Sequence, residues 1–360
     1  MKITNLFSIT LLFALLQGCM KFAYSEHEPY QTDYDEQNKE LNLVCSNDNK
    51  VRIGTSTKGY VTSISHEYDK VLVTLSCGMA ISNDAGKTFK RVHPFRYKSS
   101  YSYDTGFLSR SVELGQVFGD HFVIYHPKEG VKITSDGLVF SQLIDPGIEV
   151  VEMVKNSTRL FIATPFKIEV FQQSYSKLEK RATITGIERI YRIRTMNNRL
   201  YMLTSNGLVV TSLNGDAIDF IELNYARPYS TFDVEISAKC SDGETKLCRV
   251  VEKIYYGHER LYCIEDRVPH EIEFKSKFGT TLQPGKLKDV LVLHGAILIA
   301  SENGLIYSVD DGKSFDRSAD SLTTFFGDKK IHIINDQLFF GTFGLFRAQN
   351  LWYNFSSVNY

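Results

Sequence analysis

The chain contains the octapeptide Ser82-Asn83-Asp84-Ala85-Gly86-Lys87-Thr88-Phe89, and a related octapeptide, Ser308-Val309-Asp310-Asp311-Gly312-Lys313-Ser314-Phe315, lies near its other end. Serine, aspartate, glycine, lysine and phenylalanine occupy the same places in both copies. A repeated turn belongs to a repeated supersecondary unit. The two copies therefore indicate a chain built from repeats.

Short apolar runs separate these turns and are typical of buried β-strands. The runs are Val71-Leu72-Val73-Thr74-Leu75, Phe122-Val123-Ile124-Tyr125, Leu160-Phe161-Ile162-Ala163, Leu200-Tyr201-Met202-Leu203, Leu261-Tyr262-Cys263-Ile264, Ile297-Leu298-Ile299-Ala300 and Leu338-Phe339-Phe340-Gly341. Most steps between successive runs are about forty residues long, which suits one four-stranded sheet per repeat.

Two turn signals recur around these runs. Asn197-Asn198 precedes the run at Leu200 and predicts a hairpin, and Ser205-Asn206-Gly207 follows it. Glu302-Asn303-Gly304 stands in the place equivalent to this second turn two repeats later. No segment keeps a 3.6-residue apolar period, so we expect almost no helix.

The Ser-x-Asp-x-Gly-x-x-Phe element resembles the Asp-box, or bacterial neuraminidase repeat, of sialidase-like and Vps10-like β-propellers. Residues 134–140 look like a copy shortened by one residue, and residues 211–220 keep only its outline. The resemblance implies an all-β, seven-bladed β-propeller of four-stranded antiparallel blades, formed by residues 41–360. It also implies a structural role, not a catalytic one, for Ser82, Asp84, Gly86, Phe89, Ser308, Asp310, Gly312 and Phe315.

Catalytic motifs were sought within this resemblance. Sialidases carry an early Arg-Ile-Pro segment, which this chain lacks, and its nearest fragment, Phe95-Arg96-Tyr97, follows the first Asp-box instead of preceding it. Gly86-Lys87-Thr88 is not a phosphate-binding loop, because Ile81 stands where the preceding glycine is required. The sequence also has no nucleophile elbow or zincin motif. We therefore predict a protein without catalytic residues, cofactor or metal.

The composition excludes one class of partner. The chain has 360 residues, 41 Lys and Arg against 42 Asp and Glu, and a formal net charge of -1. No net field attracts it to a nucleic acid. The 43% hydrophobic content supports a large core, and the 20 Tyr and 24 Phe favour strands.

The N-terminal residues predict export. Residues 1–18 read as a signal peptide, and Leu16-Gln17-Gly18-Cys19 resembles the bacterial lipobox, with Gln17 as a departure from its usual pattern. The resemblance implies a lipidated Cys19, an acidic tether over residues 19–40 and, because Met20 follows, sorting to the outer membrane. The alternative is a secreted protein cut after Ser25.

The cysteines predict one disulfide. Cys240 and Cys248 bracket a short polar loop, and we expect a bond between them; a metal pair is the alternative. Cys263 lies in an apolar run and is expected to be a buried free thiol.

Two long steps between repeats predict a binding face. These long steps contain residues 93–104 and residues 224–248. The repeat pattern predicts that both follow fourth strands, on the face opposite the Asp-boxes. Tyrosine and arginine are enriched at protein interfaces and also stack on sugars. The candidate binding residues are Arg96, Tyr97, Tyr101, Tyr103, Arg227 and Tyr229; the alternative is that they only cover sheet edges.

These features predict a non-enzymatic lipoprotein that binds another protein in the cell envelope. By resemblance, its role is envelope assembly or toxin neutralisation. A carbohydrate-binding protein or sialidase-like hydrolase on the same scaffold is the alternative, with a glycan as the ligand. No nucleic-acid partner is expected, and membrane contact is expected only through the lipid.

Overall fold

A computed structural model describes residues 61–75, 78–92, 112–174, 177–223, 227, 230–240, 248–293, 295–317, 330–335, 337–341 and 345–348. This part of the chain forms strands β1 to β27 and has no helix. Accordingly, no helix among these residues is long and apolar enough to span a bilayer.

Six antiparallel sheets have four strands each. The first three are β1 (Val61–Glu67), β2 (Lys70–Leu75), β3 (Gly78–Ser82) and β4 (Lys90–Val92); β5 (Leu114–Phe118), β6 (His121–His126), β7 (Gly130–Thr134) and β8 (Ser141–Ile144); and β9 (Glu152–Lys155), β10 (Arg159–Ala163), β11 (Ile168–Ser174) and β12 (Lys177–Ile184). The next three are β13 (Ile190–Met196), β14 (Arg199–Thr204), β15 (Gly207–Ser212) and β16 (Ala217–Glu222); β17 (Thr231–Cys240), β18 (Cys248–Gly257), β19 (Leu261–Glu265) and β20 (Val268–Ile272); and β21 (Leu287–Leu293), β22 (Ala296–Ser301), β23 (Gly304–Ser308) and β24 (Asp316–Arg317).

A further sheet has three strands in the described residues, β25 (Lys330–Ile334), β26 (Gln337–Gly341) and β27 (Leu345–Ala348). The prediction of an all-β protein with four-stranded antiparallel blades is therefore confirmed for six sheets. The count of seven such blades goes beyond the described residues and stays a prediction.

The sheets form a ring in which the first strand of each sheet contacts the first strand of the next. Strand β1 contacts β5, and the contacts continue through β9, β13, β17, β21 and β25, which in turn contacts β1. Within each sheet every strand pairs with the next one along the chain. This arrangement is a β-propeller.

Apolar side chains fill the junctions between neighbouring sheets. Leu72 and Met79 of the first sheet, for example, share a cluster with Phe122 and Ile124 of the second. At the junction of the last sheet with the first, Phe339 packs with Val71 and other residues of the first sheet. Second strands such as β6 and β22 are buried along their whole length, because a neighbouring sheet covers each face. This double burial explains their continuous apolar runs.

The predicted hairpin at Asn197-Asn198 is confirmed. Met196 pairs with Arg199, and both asparagines between them have positive φ, 51° and 59°. Asparagine tolerates this left-handed backbone better than most residues, and two such residues form the tight turn that matches strand twist.

The ring has two ends that carry different connections. Because the strands alternate in direction, the β1–β2 and β3–β4 turns and their equivalents lie at one end, which we call the Asp-box end. The second-to-third-strand turns and the links between sheets lie at the other, which we call the link end.

The predicted position of the cysteine-bracketed loop is wrong. Residues 231–240 and 248–257 are the first and second strands of the fifth sheet, not an insertion after a fourth strand. Residues 241–247 between them lie outside the described part of the chain. The run from Leu261 to Ile264 is consequently the third strand of its sheet, whereas the other apolar runs are second strands.

Candidate functional site

Charged side chains of the first strands meet around the axis of the ring. We call this set the axial network; its members are His66, Glu67, Glu152, Lys155, Arg192, Arg194, Asp233, Asp289 and His332. The Glu67, Glu152, Lys155 and Asp233 side chains are each less than one fifth exposed. These charges lie in the interior of the ring, where unpaired charges are strongly unfavourable.

Arg194 is the centre of the network. Its Nη1 donates to Glu152 Oε1 at 2.6 Å, and its Nε lies 3.7 Å from Asp233 Oδ1. Glu152 belongs to the third sheet, Arg194 to the fourth and Asp233 to the fifth. One guanidinium therefore links three consecutive sheets.

The pKa shifts follow from this arrangement. Burial raises the pKa of Glu152, but Arg194 and Arg192 outweigh it, and the pKa is lowered. Burial would lower the pKa of Arg194, but Glu152 and Asp233 raise it. For Asp233 burial prevails over Arg194 and raises the pKa to about 6.

Carboxylates of the first strands also hold the backbone of the next sheet. Glu152 Oε2 accepts the Ile193 N–H at 2.8 Å, and Asp233 Oδ2 accepts the Val292 N–H at 2.8 Å. Further bonds of this kind run from Gly119 N to Glu67 Oε2 at 2.7 Å, from Gly295 N to Glu235 Oε1 at 2.7 Å and from Ile331 N to Asp289 Oδ2 at 3.0 Å. The carboxylates of the ring interior therefore hold neighbouring sheets together.

A histidine pair joins the first and last sheets. His66 Nδ1 and His332 Nε2 are 2.8 Å apart, and the two rings meet edge to face. Burial lowers the pKa of His332 to about 3, with smaller contributions from His66, Lys155 and Arg194. Burial and Lys155 lower the pKa of His66, against a smaller opposite effect of Glu67.

The histidine pair predicts acid sensitivity. Burial keeps the His332 imidazole neutral in the folded protein down to about pH 3, whereas in the unfolded chain a histidine takes up a proton below about pH 6.5. Through His332, stability is therefore lost as pH falls from about 6.5 towards 3, by up to about 1.4 kcal/mol per pH unit. The lowered pKa of His66 acts in the same direction. The His332→Gln variant should lose about 1 kcal/mol less per pH unit than the wild type in urea titrations between pH 6.5 and 4.

His270→Gln is the matched control, because His270 is exposed on the outer strand β20. The free energy of unfolding of His270→Gln should depend on pH as that of the wild type does. Asp233 acts in the opposite direction, since a raised carboxyl pKa stabilises the folded state as pH falls below about 6. The effect of Asp233 on stability is the same in the wild type, His332→Gln and His270→Gln. Equal slopes for wild type and His332→Gln would contradict the prediction.

Of the six candidate binding residues, Arg227 lies in the described part of the chain. Its backbone N–H donates to Ser230 Oγ at 3.1 Å, and its carbonyl accepts the Ser230 N–H at 3.1 Å. Arg192 Nε donates to the Ser230 carbonyl at 3.1 Å, so Ser230 connects the backbone of Arg227 to the axial network. The Arg227 side chain is exposed at the link end. Arg96, Tyr97, Tyr101, Tyr103 and Tyr229 lie outside the described residues.

The first Asp-box turn is held by its own side chains. Ser82 Oγ donates to Asp84 Oδ1 at 2.6 Å and accepts the Gly86 N–H at 2.9 Å, while Asp84 also accepts from the Thr88 N–H at 2.9 Å. Burial raises the pKa of Asp84, but these bonds outweigh it and lower the pKa to about 2. Gly86 has a φ of 79°, and Phe89 is buried.

The turn at Asp310 has the same bonds. Ser308 Oγ donates to Asp310 Oδ1 at 2.8 Å, and Asp310 accepts the Ser314 N–H at 2.9 Å. Gly312 has a φ of 81°, and Phe315 packs edge to face on Phe274 with ring centroids 5.1 Å apart. The shortened copy keeps part of the pattern, since Thr134 Oγ1 donates to Asp136 Oδ1 at 3.1 Å.

A cleft of about 280 Å³ lies between the fifth and sixth sheets, beside the second Asp-box. Its walls include Lys253, which pairs with Asp311, and the buried Tyr255 and Cys263. Cys263 is free, as predicted, and burial raises its pKa to about 12. A thiol with so high a pKa is protonated at neutral pH and is a poor nucleophile. Within the described ranges no three potential metal ligands cluster together.

Sequence reasoning missed the axial network. Each of its residues stands in the first strand of a sheet. There a charged or histidine side chain interrupts the apolar pattern, as in Asp233-Val234-Glu235-Ile236 of β17. A charge recurring at this place in several repeats is the signal that could have indicated an ionic interior.

Solved structures of the same fold were found by comparison. An extracellular domain of a hybrid two-component system from B. thetaiotaomicron superimposes with a TM-score of 0.55 and 14% identity, over 82% of this chain and 38% of that one. YCF48 from Cyanidioschyzon merolae superimposes with a TM-score of 0.52 and 14% identity, over 82% of this chain and 96% of that one.

These likenesses establish the propeller fold. The chain spans less than two fifths of the length of the bacterial domain. The sequence matches no protein-family model, and it matches no curated protein.

Proposed function

We propose that the protein is a non-enzymatic, exported propeller that binds another protein through the link end of the ring. The observation that carries the proposal is that Arg227 is exposed while its backbone is bonded to Ser230, which in turn is bonded to Arg192 of the axial network. Arginine on a preorganised turn is a frequent anchor of protein interfaces, because little side-chain and loop entropy is lost on binding.

The axial network supports the same proposal. Its carboxylates are bonded to arginine, lysine or the backbone of the next sheet, which stiffens the ring as a platform. The proposal leaves two roles for the bound protein, a component of envelope assembly or a toxin that is neutralised.

Crosslinking in cells tests the proposal. The full-length protein is crosslinked, the captured partner is identified by mass spectrometry, and its affinity is then measured with purified proteins. Arg227→Ala should weaken binding by roughly tenfold, the range of an interface anchor. Arg181→Ala, at an exposed arginine of the outer strand β12, is the control and should bind like the wild type. Equal affinities of both variants would contradict the role of the link end.

Export and anchoring are part of the proposal. We propose that Cys19 is lipidated and that the tether of residues 19–40 holds the ring at the outer membrane. The propeller of B. thetaiotaomicron that shares the fold is itself an extracellular domain, which agrees with export. Mass spectrometry of the mature N-terminus decides the matter: a lipid mass on Cys19 is expected, whereas an unmodified chain beginning after Ser25 would indicate a secreted protein.

A glycan is the alternative ligand, and Arg192 and Arg194 are the side chains that favour it, since arginines inside a propeller suit a sugar carboxylate. Both are engaged, Arg194 with Glu152 and Arg192 with the Ser230 carbonyl. Binding on a glycan array, or cleavage of a fluorogenic sialoside, that is lost in Arg192→Ala would support this alternative over protein binding.

We also propose that the three-stranded sheet is a seventh blade. Contacts of β25 with both β21 and β1 support it. A fourth strand would come from residues 351–355 or residues 41–44, which lie outside the described part of the chain.

A disulfide between Cys240 and Cys248 is a further proposal. These residues are directly opposite each other in the β17–β18 pairing. Opposed residues of antiparallel strands have Cα atoms about 4.5–5.5 Å apart, which is within the range of a disulfide. Alkylation before and after reduction should reveal two additional thiols per chain in the reduced exported protein. Alkylation of both cysteines without reduction would contradict the bond.

A further inference from the structure

The link between β20 and β21 projects an aromatic side chain into solvent. Phe278 is 88% exposed, more than any other large hydrophobic residue in the described part of the chain. It stands at the tip of a short hairpin within this link, between the fifth and sixth sheets.

Backbone bonds close the hairpin that carries Phe278. Lys275 and Thr281 form a β-bridge. Ser276 N donates to the Thr280 carbonyl at 2.8 Å, and Gly279 N donates to the Ser276 carbonyl at 2.9 Å. These bonds close the backbone on both sides of Phe278, whose side chain lies exposed at the tip.

The base of the hairpin is anchored in the core. Phe274 is buried and packs on Phe315, and the Phe315 N–H donates to the Lys275 carbonyl at 2.8 Å. Leu282 N donates to the Phe274 carbonyl at 2.7 Å. The tip is therefore held at a fixed height above the surface of the ring.

The surroundings of the tip are basic. Residues 274–288 contain four lysines and no acidic residue. Lys275, Lys277 and Lys286 are exposed, as is Lys313 of the neighbouring Asp-box turn. Glu273 pairs with Lys275 and offsets one of these charges. Glu302 Oε2 accepts the Lys286 backbone N–H, and the nearby Glu271 and Asp311 are paired with Arg260 and Lys253. The four exposed lysines outnumber Glu273 and Glu302.

We propose that this hairpin contacts an anionic phospholipid surface. An aromatic ring inserts at the level of the lipid headgroups, and nearby lysines are attracted to their phosphates. A protein pocket would need an acidic rim to match the same lysines, and it is the competing outcome of the test. The inference goes beyond the protein-binding role proposed for the link end and does not depend on lipid at Cys19.

Tryptophan fluorescence tests the contact in the full-length protein. Phe278→Trp and Phe166→Trp are compared on vesicles of phosphatidylglycerol and phosphatidylethanolamine that carry brominated chains, which quench a tryptophan at the membrane. Phe166 is the matched control, because it is also exposed on a turn, at 62%. The wild type gives the background of the native Trp352.

Quenching is expected for Phe278→Trp on phosphatidylglycerol vesicles, and not for Phe166→Trp or on phosphatidylcholine. Adding Lys277→Glu should reduce the quenched fraction about fivefold or more, because it reverses one attractive charge. Equal quenching of the two tryptophan variants, or none for either, would overturn the inference. The inference would also be overturned if Phe278→Trp showed no quenching and Phe278→Ser lost a crosslinked protein partner that the wild type binds. The Arg227 and Cys19 measurements are separate, so either proposal can fail alone.

Discussion

Replacing Arg194 with methionine is expected to lower the free energy of unfolding by about 3 kcal/mol. The substitution keeps most of the side-chain volume but removes the arginine that pairs with Asp233 and the nearer of the two arginines beside Glu152, leaving Glu152 with Arg192 at 3.9 Å. Breaking a buried ion pair by removing one partner is strongly destabilising, because the remaining charge has no compensation. Urea unfolding at neutral pH measures the effect.

Arg199→Met is the control for Arg194→Met. Arg199 belongs to the same sheet and pairs with Glu252 at 3.1 Å, but its side chain is nearly half exposed. An exposed pair contributes about 0–1 kcal/mol, so this variant should be close to the wild type. Adding Glu152→Gln to Arg194→Met should recover part of the loss, because it removes a carboxylate that has lost its nearer arginine. Equal effects of the two arginine substitutions would contradict the special position of Arg194.

Gly130→Ala is expected to destabilise the protein by about 3 kcal/mol or more. Gly130 has a φ of 72°, where an L-residue is strained, and a Cβ added there would overlap the Ile144 carbonyl oxygen and lie 2.7 Å from the Asp145 carbonyl carbon. These are backbone atoms of the outer strand, so the clash cannot be relieved by a side-chain rotation.

Gly147→Ala separates the backbone strain at positive φ from the steric clash of the added Cβ. Gly147 has a similar φ of 84°, but a Cβ there would have no atom within 4 Å. This variant should lose only the backbone term, about 1–2 kcal/mol. Chemical unfolding of both variants gives the difference between them, which reports the steric term alone. Equal losses would show that the outer strand of the second sheet moves freely to accommodate a methyl group.

Much of the fold was predictable, because its strongest signals are local. Second strands are covered on both faces and therefore have continuous apolar sequences, as in the run from Leu160 to Ala163. Asn197-Asn198 identified a hairpin through its backbone preference. These features need no knowledge of distant residues.

The fifth sheet was misread for a physical reason. Its second strand, β18, contains Arg249, Glu252 and Lys253, so it lacks a continuous apolar run. The third strand, with Leu261 and Ile264 buried, has the stronger apolar signal and was taken as the equivalent of the other second strands. The first two strands of this sheet were consequently interpreted as part of an insertion.

The candidate site was predictable only in part. The choice of Arg227 as a binding residue stays a prediction, and its connection to Arg192 through Ser230 is a contact between residues far apart in sequence. The same is true of His66 and His332, which meet because the ring brings its first and last sheets together. Phe278 was missed because its segment has neither a strand pattern nor a motif.

The contact of β25 with β1 has a consequence for how the protein comes apart. In an open array of repeats the terminal units have one neighbour and fray first. A circle has no terminal unit, so the loss of any one sheet would uncover the apolar flanks of two others. Thermal melting followed at opposite sides of the circle should therefore give coincident transitions, as in a single cooperative unit.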